Sequence, residues 1–157
     1  MNDYTDAAPE SASDDTARQV ESLLTSGEEA SRTGDAKSAL AAFNKAISLD
    51  PSSDMAWFNR GVLLEAQQDA RGARQAFQIC LDVNPNHAPA TANLCILLER
   101  IGDEVGAYNM AIKALEFYPG HPSIVDVKNR CSGSAASKPI ASTVSYTHLT
   151  LPTIALV

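Results

Sequence analysis

Lysine and arginine are scarce in this chain and nowhere clustered. Twelve stand against 19 aspartates and glutamates, for a formal charge of −7 over 157 residues. Nucleic acid and anionic lipid both draw proteins through grouped cations, so neither is an expected partner. Cysteine is nearly missing too. Cys80, Cys95 and Cys131 are odd in number and lack CxxC spacing, which argues against a disulfide framework or a thiolate zinc site and fits a reducing compartment. No apolar run reaches the length of a membrane-spanning helix, and the opening MNDYTDAAPE has neither a basic nor an apolar leader segment. The expectation is a soluble, cytoplasmic protein.

What is present suffices for one domain, since 45% of residues are hydrophobic. The negative charge is uneven. Asp3, Asp6, Glu10, Asp14 and Asp15 oppose only Arg18 at the N-terminus, so the body is nearly balanced. Residues 1–15 read as an acidic, disordered arm with little to bury.

Three prolines frame the rest. Pro51, Pro85 and Pro119 recur every 34 residues, in the phrases AISLDPSS, CLDVNPNH and ALEFYPGH. Superposing 20–53, 54–87 and 88–121 gives four columns of matching residues. These are Ala39/Ala73/Ala107, Phe43/Phe77/Ala111, Ala46/Cys80/Ala114 and Gly27/Gly61/Cys95. A fixed period of this length marks a stack of supersecondary units. Two helices approach closely only where side chains are small, so each unit is expected to be a helical hairpin.

The run Trp57–Arg60–Gly61–Leu64…Ala73…Phe77…Pro85 resembles the tetratricopeptide repeat; the outer copies carry Leu23 and Thr91 in place of the Trp. The resemblance covers residues 20–121. It implies an all-α fold, an α-solenoid of three hairpins within 16–121, with 122–132 as a C-terminal covering helix and 133–142 as a linker. Gly34–Asp35 and Gly102–Asp103 read as left-handed helix ends followed by N-caps, and Gln68–Asp69 must do the same without glycine. Thr16 with Gln19 reads as a capping box. Pro122 opens the covering helix, and Gly133 is expected just past its end.

No catalytic constellation emerges. Cys80 and Cys95 occupy packing columns, where a buried structural thiol is the better reading; Cys131 receives no role. His87 and His121 share a column after the proline and are expected to be exposed turn residues without further metal ligands nearby. Glu28, Glu65 and Glu99 form no catalytic pair, Glu65 and Glu99 reading as a solvated rim. Gly72, Gly106 and Gly133 are isolated and make no phosphate loop. The expectation is no enzyme, no cofactor and no metal.

In the family this chain resembles, the first helices line a concave groove that receives a peptide or a helix. The resemblance places there Leu24, Thr25, Glu28 and Arg32; Phe58, Asn59, Val62 and Glu65; and Ala92, Asn93, Ile96, Glu99 and Arg100. Asn59 and Asn93 share one column, and a side-chain amide can pair with peptide backbone of any sequence. Leu24, Phe58, Val62 and Ile96 are expected to give an apolar floor. Similar proteins that bind chaperone tails hold a terminal carboxylate with Lys, Arg and Asn at set positions. Leu24, Glu28, Pro89 and Asn93 stand at places where those residues are required, and only Asn59 matches. That role is not expected.

The closing VSYTHLTLPTIALV has no sheet to join. Residues 145–153 are what TCT TAT ACA CAT CTG ACG CTG CCG ACG would encode, which resembles a transposase adapter of sequencing libraries. Residues 143–157 are therefore expected to be non-native, with the true C-terminus out of view. The leading expectation is a non-catalytic protein-interaction scaffold binding a protein or peptide partner in its groove. Its rival is the N-terminal interaction module of a larger, truncated enzyme or assembly component.

Overall fold

The computed structural model describes residues 12–137. Seven helices follow in order: α1 Ala12–Arg32, α2 Ala36–Leu49, α3 Asp54–Ala66, α4 Ala70–Val83, α5 Ala88–Arg100, α6 Glu104–Phe117 and α7 Pro122–Ser137. They pack as hairpins, α1 with α2, α3 with α4 and α5 with α6, while α7 lies on α5 and α6. No strand occurs among the described residues, and the fold is a tetratricopeptide-type α-solenoid. Between hairpins, α2 packs on α3 and α4 on α5, with smaller first-helix contacts of α1 on α3 and α5 on α7.

The repeat columns are the packing seams. Ala39, Ala73, Ala107, Phe77, Ala46 and Cys80 are wholly buried, and Phe43 nearly so. A Cβ added to Gly61 would sit 2.6 Å from Cε1 of Phe77, and one on Gly27 would overlap the Phe43 ring. In the third hairpin the same two columns hold Cys95 and Ala111, both buried. The larger residue has changed sides, which keeps the volume filled.

Each hairpin turn needs one left-handed residue. Gly34 and Gly102 have φ of +85° and +84°, and Gln68 has φ +63° in the same place. Asp35, Asp69 and Asp103 then cap α2, α4 and α6 by accepting from the backbone N–H three residues on. At the junction of the first two hairpins, Trp57 Nε1 donates to the carbonyl of Pro51 at 2.9 Å, and within the second hairpin Asn84 Nδ2 donates to Asp54 at 2.6 Å.

Three local expectations need correction. Thr16 caps nothing: α1 begins at Ala12, and the Thr16 hydroxyl donates back to the Ala12 carbonyl at 3.0 Å. Asp14 and Asp15 lie in the first turn, where negative charge favours the helix dipole, so residues 12–15 are helix and not a disordered arm. α7 runs through Gly133 to Ser137, where 133–137 were expected in the linker. The Ser134 hydroxyl on that extension hydrogen-bonds Glu104 of α6. Residues 1–11, the rest of the linker and the 143–157 tail lie outside the described residues.

Candidate functional site

The first helices are linked by a ladder of cross-repeat polar contacts. Asn59 Nδ2 of α3 donates to Glu28 Oε1 of α1 at 2.8 Å. Arg100 of α5 pairs with Glu65 of α3 at 2.9 Å. Arg130 of α7 grips both carboxylate oxygens of Glu99 at 2.6 and 2.7 Å. Those bonds hold the Glu99 carboxyl below the usual carboxylate range and raise the Arg130 guanidinium. Glu65 and Glu99 are thus braces between hairpins, with side chains only 20% and 22% exposed, and not a solvated rim.

The groove residues fare differently. Val62 on α3 is 40% exposed, as is Met55 on the same helix at 42%. Thr25 is exposed, and Leu24, Asn93 and Ile96 are half-buried. Ala92 is buried and presents nothing to a ligand. Phe58 turns inward: its ring lies 6.0 Å from that of Phe77 and 4.8 Å from that of His87. The apolar floor therefore narrows to Val62 and Met55, with the edges of Leu24 and Ile96.

One pocket opens in this face, between α1 and α3. It has a volume of about 270 Å³ and is lined by Glu28, Ser31, Arg32, Phe43, Asn59 and Val62. Arg32 does not face Glu28 for charge; its Nε and Nη2 bond Glu29 at 3.0 and 2.6 Å.

His87 is the clearest departure from expectation. It is buried, and its Nδ1 accepts the Ala90 N–H at 3.1 Å as the N-cap of α5. The signal was available, because Ser53 fills the same column and caps α3 the same way. His121 is half-buried, with Nδ1 unpartnered. Among the described residues no group of His, Cys, Asp and Glu converges as metal ligands.

The thiols are poor nucleophiles by setting. Burial, with Asp54 adding to it, pushes Cys80 up to about 12. Burial, with Cys131 nearby, pushes Cys95 up to about 11. Cys131 is itself buried in the same core and raised by burial first. A neutral thiol shielded from solvent is unreactive.

Sequence reasoning missed the outer face. Phe117 is 70% exposed at the rim of a cleft of about 240 Å³ that includes Leu81, Met110 and Tyr118. Also among the described residues, no helix is long and apolar enough to cross a membrane.

Comparison with known proteins follows the same outline. Residues 13–136 match the family described as the CABIN1 N-terminal domain. No curated protein matches the chain significantly. The first tetratricopeptide domain of Spaghetti (RPAP3), solved bound to the HSP90 peptide SRMEEVD, is similar at TM-score 0.70 and 16% identity, over 76% of this chain and 95% of that one. The TPR2B domain of yeast Sti1, in a complex with an Hsp70 peptide, gives 0.65 and 17%, over 74% and 98%. An O-GlcNAc transferase from Thermobaculum terrenum gives 0.60 and 23% over 68% of this chain, which spans only 20% of that enzyme. These likenesses concern the fold.

Proposed function

The chain belongs to the CABIN1 N-terminal domain family, and from that premise and its inner face we propose a non-catalytic scaffold that holds a peptide or helix of a protein partner in the concave groove. The observation that carries this is the pairing of Val62 and Met55, both exposed, with the Asn59 amide on one stretch of α3. A partner's apolar side chains would cover the first two. Its backbone would compete for the amide, which both donates and accepts. The three thiols, buried and raised by burial, are poor nucleophiles.

Phe58→Ala is a poor test, because that ring packs on Phe77 and His87 and its loss would loosen the hairpin. A random dodecapeptide library displayed on phage, selected on the immobilised chain, is cleaner. Binders are expected to be lost on Val62→Gln and Asn59→Ala and kept on Phe117→Gln of the outer face. Binders that ignore both groove variants would place the site elsewhere.

A further inference from the structure

Resting on that groove reading, we infer that the pocket between α1 and α3 selects a basic side chain, lysine or arginine, as the anchor of its peptide. The charge accounting points there. Glu65 is neutralised by Arg100 and Glu99 by Arg130. Arg32, the pocket's own cation, is engaged by Glu29. Glu28 alone among these groove carboxylates has no cationic partner among the described residues. Its one hydrogen bond comes from the neutral Asn59 amide, which fixes Oε1 and leaves Oε2 open.

Beside that carboxylate, among the polar Ser31, Arg32 and Asn59, the pocket offers two apolar surfaces, the exposed Val62 and the Phe43 ring. A side chain that is apolar along its stem and cationic at its tip satisfies both features. Lysine or arginine would lay its methylenes on Val62 and place its charge on Glu28, as a charge-assisted hydrogen bond. An acidic side chain would meet like charge in the same place. The preference is thus opposite in sign to the peptide named with Spaghetti, whose sequence SRMEEVD ends in acidic residues. Position in the array adds to this. Residues equivalent to Glu28 in later repeats are Val62, Ile96 and Arg130, so the negative end of the groove lies at α1.

The same phage library tests the idea on the full chain. Selected peptides should share one position enriched in lysine and arginine and depleted in aspartate and glutamate. A selected peptide, labelled with fluorescein, should bind Glu28→Gln about tenfold more weakly by anisotropy. Gln keeps the hydrogen bond from Asn59, so the fold is retained, and circular dichroism checks that. Selection on Glu28→Lys should turn the enriched position acidic. Glu21→Gln, an exposed α1 acid outside the pocket, should leave the enrichment intact and so separates the pocket from the chain's general negative charge. Binders without basic enrichment, yet lost on Val62→Gln, overturn this inference and spare the groove. Enrichment that survives Glu28→Gln overturns it too. A library that yields no binder counts against both readings.

Discussion

The Phe77 ring occupies the space in which a side chain on Gly61 would have to stand, with Cε1 and Cδ1 at 2.6 and 2.7 Å from the missing Cβ. Helix α3 lies against α4 on that contact. Gly61→Ala gains about 1 kcal/mol of helix propensity but overpacks a filled seam, which costs about 1–3 kcal/mol. The expected net is destabilisation, read as a lower urea midpoint. Phe77→Leu should rescue part of it, so that the double variant loses less than the two single losses combined. Strict additivity would show that the two residues do not share the space.

Gln68 holds a left-handed backbone at φ +63° where the other hairpins use glycine. A side chain in that region costs about 1–2 kcal/mol, part of which glycine gives back through its freer unfolded chain. Gln68→Gly should therefore stabilise the protein by about 0.5–1 kcal/mol, visible as a higher Tm. A fall in Tm would mean that the Gln side chain makes contacts worth more than the strain.

The raised thiols give a pH dependence of definite sign. Cys80 and Cys95 titrate at about 12 and about 11 in the folded chain, against 9.0 ordinarily. Below pH 9 both states keep these protons and stability is unaffected. Above it the unfolded chain loses them first, so stability falls as pH rises, by about 1.4 kcal/mol per thiol per pH unit. Urea midpoints between pH 8 and 10.5 should decline, and Cys80→Ala with Cys95→Ala should flatten the slope. At pH 8 a thiol-specific dye should leave the native protein unlabelled and find all three cysteines in denaturant.

The fold was legible because its determinants are local and periodic: a proline every 34 residues, small residues in register and a turn residue before each Asp cap. The groove was legible only as a set of positions. Column arithmetic names Phe58 and Ala92 as first-helix surface, yet it says nothing about lean. Phe58 leans into the core because His87 and Phe77 offer it a ring-lined slot. The braces Glu65–Arg100 and Glu99–Arg130 escape notice because each joins residues in different columns, a relation that depends on how much one hairpin rotates over the next. α7 extends past Gly133, which as a lone glycine inside a helical run does not stop it, and Ser134 beyond it hydrogen-bonds Glu104 of another helix.

The seams between hairpins are not equal. One continuous buried cluster runs from Leu64 to Cys131 and ties α3 through α7 together. The first hairpin instead shares two small clusters with α3, around Ala46 and Ala56 and around Phe43 and Leu63. Among the described residues, its side-chain to side-chain link is a neutral-donor hydrogen bond from Asn59, where the later seams have arginine pairs. Because stability in such an array is a sum of nearest-neighbour terms, melting has a direction. α1 and α2 detach first, and the block behind them outlasts them. The pocket of Glu28 and Val62 spans that weakest joint, so whatever fills it acts as a hinge pin. Its occupancy and the order of the first two of the seven helices become one equilibrium, and amide exchange in α1 is a readout of whether the groove is full.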